Sequence, residues 1–234
     1  TGEAGVLRFQ PAAADTGVVF VREDQRPPVS IPGRVDNVAK RLRRTSIRNG
    51  TIQIETIEHC MSALAGMQID NIIISLNAGE IPSFDGSCLP FVAKLKEAGI
   101  VALDKSREVF RIPETVRVTE GDSYVMAAPP TDDNEKLEIV FDLDYGARGA
   151  IGEQIFKIQL TPETFERQVA PARTFVPQSE AEQFRAAGLG KHLTYSDILV
   201  FGEYGPIEND LRFPDECVRH KVLELIGDLY LFGK

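Results

Sequence analysis

Histidine and cysteine are scarce in this chain, three of each in 234 residues. Cys60, Cys88 and Cys217 are odd in number and far apart, which argues against a disulfide framework and for reduced thiols in a cytoplasmic protein. No paired-cysteine knuckle is present. A structural zinc built from Cys60, His59, Cys217 and His220 is further disfavoured because adjacent helical residues point about 100° apart. Basic residues are outnumbered 26 to 35, and the net charge of −9 argues against a protein whose main task is to hold nucleic acid. No apolar run approaches the about 20 residues that span a bilayer, and no secretory signal opens the chain, so an integral membrane protein is not expected. Walker and dinucleotide motifs are missing, and Gly188-Leu189-Gly190 is too short to be a phosphate-binding fingerprint.

What is present is a repeated order of strands followed by helices. The length suits one large domain or two of about 100 residues. Short alternating runs (Val6-Leu7-Arg8-Phe9 and Val18-Val19-Phe20-Val21) precede a strand pattern over 48–54. A helix from Glu58, a strand over 71–76 and a second helix over 88–98 follow. The polar stretch 103–107 is the best linker and suggests domains at 1–103 and 104–234. Beyond it the pattern predicts strands at 109–111, 115–119, 123–127, 137–142 and 154–159. Helices are predicted over 162–169 and 180–187, then a strand at 197–200 and a last helix from Asp215. Strands and then a helix pair, twice over, describe an α+β protein of two units packed face to face.

The last helix carries the most telling pattern. At about 100° per residue, His220, Glu224 and Asp228 share one face, while Val218, Val222, Leu225, Ile226 and Leu229 take the opposite, core-facing side. Imidazole with carboxylate is a ligand set for a catalytic transition metal. A second segment, Thr56-Ile57-Glu58-His59, reads as a strand passing into a helix with Thr56 as N-cap. His59 offers a third ligand, and Glu58 stands beside it as a carboxylate able to take a proton from water. Each feature also has an ordinary reading, as a solvated helix face or a hydrogen-bonded histidine at a helix start. The two segments together favour a metal site at the junction of the two halves. The run Lys40-Arg41-Leu42-Arg43-Arg44 with Arg48 suits a diphosphate as well as it suits a solvated basic loop.

These residues resemble a known family. Thr56-Ile57-Glu58-His59, Ala63-Leu64-Ala65-Gly66, Ile69-Asp70-Asn71, Asp85-Gly86-Ser87, Ala172-Arg173-Thr174-Phe175, Leu211-Arg212-Phe213 and Arg219-His220-Lys221 through Gly227-Asp228 are similar, in order, to LpxC. That family comprises the zinc-dependent UDP-3-O-acyl-N-acetylglucosamine deacetylases of lipid A biosynthesis. The resemblance implies a two-domain β-α-α-β sandwich with the helices between the sheets. It implies Zn2+ (or Fe2+) on His59, His220 and the residue at 224, with Glu58 as general base and Thr174 holding the oxyanion. It also implies Lys221 and Phe175 at the substrate, an acylated UDP-glucosamine, and Asp228 orienting a further catalytic group.

The sequence departs from that family at identifiable points. The family's third ligand is an aspartate where Glu224 stands, and Pro177 takes the place of a second aromatic. The family's general-acid histidine and its first strand would fall beyond Lys234 and before Thr1. Two readings follow: a piece of an ordinary enzyme, or a shortened relative that binds a nucleotide sugar or a partner through the same cleft. His192 is the remaining histidine, and a surface-loop position is the expectation for it over a substitute acid.

Overall fold

The computed structural model describes residues 5–107, 109–130, 136–146, 149–188, 190 and 193–233. The first half contains β1 (Leu7–Pro11), β2 (Val18–Arg22), β3 (Val29–Pro32), β4 (Val38–Ala39), β5 (Ser46–Asn49), β6 (Ile52–Glu55), α1 (Glu58–Gly66), β7 (Ile72–Leu76) and α2 (Leu89–Ala98). The second contains β8 (Val116–Glu120), β9 (Ser123–Ala127), β10 (Glu138–Asp144), β11 (Glu153–Gln159), α3 (Pro162–Gln168), β12 (Phe175–Pro177), α4 (Gln178–Ala186), β13 (Leu199–Phe201) and α5 (Glu216–Leu229). The chain is α+β, as the alternation of strand and helix patterns predicts.

β1, β7, β2 and β3 form a four-stranded sheet in that order. β7 runs antiparallel to β1 and parallel to β2, and its Ile72, Ile74, Ser75 and Leu76 are buried. That interior place explains the near-continuous apolar run. β4, β5 and β6 form a separate antiparallel sheet, and β10 pairs with β11 over seven residues. A continuous cluster of buried side chains runs from Phe20, Ile31 and Ile74 through Met61, Leu64, Val92, Val218 and Val222 to Ile139, Phe156 and Ile158. The helices thus join the first sheet to the β10–β11 hairpin. α5 packs on α1 and on both strands of that hairpin.

Several local expectations change. The single strand predicted over 48–54 is a hairpin, because Gly50 takes a left-handed backbone (φ 59°) and reverses the chain. Residues 109–111 are irregular, with Val109 and Phe110 exposed. Thr56 does not cap α1. Its backbone is left-handed (φ 62°), Ile57 occupies the cap position, and the Thr56 hydroxyl donates to Glu80 Oε1 at 3.1 Å. A β-branched residue adopts that conformation only when its surroundings impose it. On α5, Leu229 is 40 % exposed, while His220 on the supposedly solvated face is only 1 % exposed. The reason is α1, which covers that face.

Candidate metal centre

The site depends on how closely α1 and α5 approach each other. A Cβ on Gly227 would lie 2.1 Å from Glu58 O and 3.1 Å from Ser62 N, both backbone atoms. Glycine is therefore the side chain that lets the first turn of α1 rest on α5. Gly66, at the other end of α1, admits the ring of Phe165 in the same way, since a Cβ there would lie 2.2 Å from it.

This approach brings His59 of α1 to His220 and Glu224 of α5. The imidazole rings stand 5.1 Å apart, nearly perpendicular at 84°. One ligand atom from each of the three residues lies within 4.8 Å of the others, and this is the group of His, Cys, Asp and Glu able to hold a metal among the described residues. Glu224 Oε1 is 3.3 Å from His220 Nε2. Two ligands each about 2.1 Å from a tetrahedral metal are about 3.4 Å apart, so this edge already has a ligand spacing. The longer side chain at 224 thus reaches the cluster.

The histidines fit such a role. His220 Nδ1 lies 3.1 Å from Ala172 O, and a proton there leaves Nε2 as a lone pair aimed at the cluster. His220 Nε2 and His59 Nδ1 are buried without a hydrogen-bond partner. Buried polar atoms are ordinarily satisfied, so two such orphans at one place point to a missing ligand. Burial, with the charge of His220 beside it, pushes His59 down to about 3, so it is neutral at ordinary pH. Burial works to raise Glu224, but the neighbouring His220 and Lys221 outweigh it and hold the carboxylate ionised. Lys221 Nζ donates to Glu224 Oε2 at 2.7 Å and sits 5.7 Å from the Phe175 ring centroid.

Glu58 occupies the same floor, 6 % exposed. Burial pushes its carboxyl up to about 8, and the charges of Glu224 and Asp228 add to this, against the hydrogen bonds of its own backbone and of Thr45. Thr45 links the acids: its N–H donates to Glu58 Oε2 at 3.1 Å, and its hydroxyl donates to Asp228 Oδ1 at 2.6 Å. Burial also raises Asp228. Sequence reasoning missed Thr45, which has no local signature. It also missed Gly227, although a glycine inside a helical pattern is a recognisable signal of close approach.

Phe175 packs against His220 of the cluster, and Thr174 precedes it, just before β12 begins. The Thr174 hydroxyl donates to Gly86 O at 3.0 Å, so its single proton is committed until the side chain rotates. Phe175 packs edge-on to His220, Tyr145 and Phe201, with centroids 5.7 to 6.3 Å away. The cysteines take no part in the cluster. Burial pushes the Cys217 thiol up to about 12 and raises those of Cys60 and Cys88 further. Arg41, Arg43 and Arg44 of the basic run pair with Glu55, Glu180, and Glu55 with Glu80, respectively. His192 lies outside the described residues.

The family described as UDP-3-O-acyl N-acetylglycosamine deacetylase, LpxC, matches residues 1–234. The chain belongs to the LpxC family. Proteins named UDP-3-O-acyl-N-acetylglucosamine deacetylase from Cellvibrio japonicus and Sodalis glossinidius are 37 % and 38 % identical to it. Each alignment covers 100 % of this chain and 76 % of the relative. The relative of the same name from Hahella chejuensis is 38 % identical with the same coverage. As an LpxC-family chain it is a metal-dependent deacetylase, and the cluster at the α1–α5 contact is the metal-competent site among its described residues. No helix among those residues is long and apolar enough to cross a membrane.

Proposed function

We propose that this chain hydrolyses the N-acetyl group of UDP-3-O-acyl-N-acetylglucosamine, releasing acetate, as a cytoplasmic step of lipid A biosynthesis. His59, His220 and Glu224 would hold Zn2+, with Fe2+ as the alternative occupant. The observation that carries the assignment is the pair of buried, unsatisfied imidazole nitrogens beside an ionised carboxylate. A divalent cation there would supply a Lewis acid for the hydrolysis and would favour the ionised form of Glu58.

The remaining chemistry belongs to this chain's own residues. Glu58 takes the proton of the attacking water, and the buried carboxylic acid that results returns it to the departing amine nitrogen as the C–N bond breaks. Thr174, after turning from Gly86 O, donates a hydrogen bond from its hydroxyl to the developing oxyanion. Lys221 presents a positive charge over the Phe175 ring, and in this reading the two meet the substrate. Asp228, held by Thr45, shapes the field around Glu58. We read residues 1–103 and 104–234 as the two domains whose helices form this centre. A protein that only bound a nucleotide sugar would have no need of a buried carboxyl beside the imidazoles. In the test, Glu58→Ala is assayed for deacetylation of the UDP-sugar alongside its metal content. The expected result is a loss of about 100- to 10,000-fold in turnover with metal content nearly unchanged. Activity close to wild type would remove Glu58 from the mechanism.

A further inference from the structure

Glu216, the first residue of α5, is fully buried and lies one helical turn before His220, on the same face. Its carboxylate is saturated by a single neighbouring stretch of chain and one loop. Oε1 accepts from the Arg173 backbone N–H at 3.0 Å and from Arg173 Nε at 2.8 Å. Oε2 accepts from Arg173 Nη2 at 3.1 Å and from the Arg212 backbone N–H at 2.6 Å. The guanidinium of Arg173 is completed by Asn209 Oδ1 and Asp210 O. Arg212 in turn reaches Pro171 O at 2.8 Å and Asp85 Oδ2 at 2.7 Å.

Of the two residues bracketing Arg173, Ala172 touches the metal centre, and Thr174 is the residue assigned to the oxyanion. Ala172 O is the atom 3.1 Å from His220 Nδ1, and Thr174 is tied by both its N–H and its hydroxyl to Gly86 O, in the turn that Asp85 begins. A buried ion pair gains little stability over well-packed apolar residues, because desolvation of the two charges offsets their attraction. What it does supply is direction, since a bidentate guanidinium–carboxylate pair fixes both partners in plane.

We propose that Glu216, acting through Arg173, is a positioning residue for the metal centre. The pair clamps residues 172–174 onto α5, so that Ala172 O fixes the tautomer and ring orientation of His220 and Thr174 stays within reach of the reacting carbonyl. This rests on the metal-site reading given above. Partners of this kind behind a ligating histidine commonly account for 10- to 100-fold in metal affinity.

The test titrates metal-free protein with Co2+, reading the visible d–d bands and the affinity together with far-UV circular dichroism. Wild type and Glu216→Gln are compared with the double variant Arg173→Met/Glu216→Leu, which removes both charges while keeping the space filled. The expected result is one Co2+ per wild-type chain, and in the folded variants an affinity about 10- to 100-fold lower with altered bands. Wild-type affinity and bands in either folded variant overturn the proposal. Failure of both variants to fold assigns the pair to stability and overturns it as well. If wild type itself takes up no Co2+, the metal-site reading falls, and this proposal with it.

Discussion

Gly227→Ala would push α5 away from the start of α1. An added Cβ would lie 2.1 Å from Glu58 O, 3.0 Å from Glu58 C and 3.1 Å from Ser62 N, and none of these backbone atoms can swing aside. Carbon and carbonyl oxygen settle at about 3.3 Å or more, so α5 must retreat from the start of α1 by about 1 Å. Alanine gains about 1 kcal/mol of helix propensity over glycine, and overpacking a tight contact costs about 1–3 kcal/mol. The net loss of stability is therefore small, about 0–2 kcal/mol. The centre fares worse, since His59 rides on α1 beside Glu58 while His220 and Glu224 ride on α5. Metal–ligand distances tolerate only about 0.2 Å. Urea unfolding of the metal-free protein, set beside a metal-competition titration, should show modest destabilisation and an affinity reduced by more than about tenfold. Unchanged affinity, or a gain of stability equal to the propensity term, would refute the claim that this glycine sets the α1–α5 separation.

Two further predictions concern the acids. In the metal-free protein the Glu58 carboxyl is raised from 4.5 to about 8, so the fold favours its neutral form. That contribution is complete below about pH 4.5 and is lost as pH rises through about 8, amounting to up to about 5 kcal/mol. Unfolding measured between pH 5 and 8.5 should show stability declining with pH, and Glu58→Gln should flatten the decline. His59, lowered to about 3, acts with the opposite sign: its contribution is present above 6.5 and is lost as pH falls toward 3. Glu224→Asp shortens the arm that Lys221 holds, drawing the carboxylate back from His220. Its metal affinity should fall about tenfold by competition titration, and an affinity equal to wild type would mean that the longer residue is not needed here.

Much of this architecture was legible because local periodicity and tertiary demand agree. α5 announced itself through the four-residue spacing of His220, Glu224 and Asp228, and β10 and β11 through simple alternation. The misreadings fell where a single backbone angle or a distant partner decides. Gly50 turns one apparent strand into two, and the left-handed Thr56 moves the helix cap by a residue. The candidate ligands and their meeting at the junction of the two halves could be expected from the chain, but the contact that brings them together could not. It depends on Gly227 accepting the first turn of α1, and on contacts such as Thr45 with Asp228, which join residues 183 positions apart. Neither the burial of His220 nor the clamp from Glu216 to Arg173 leaves a mark in periodicity, because both arise from the packing of one half of the chain on the other.

The central claim is that His59, His220 and Glu224 form one metal centre across the α1–α5 contact. Metal content of the purified protein, measured beside His220→Ala, tests it most directly. The account predicts about one zinc or iron per wild-type chain and its loss in the variant, with secondary structure retained. Wild-type protein free of metal, or a variant that keeps the same content, would contradict it.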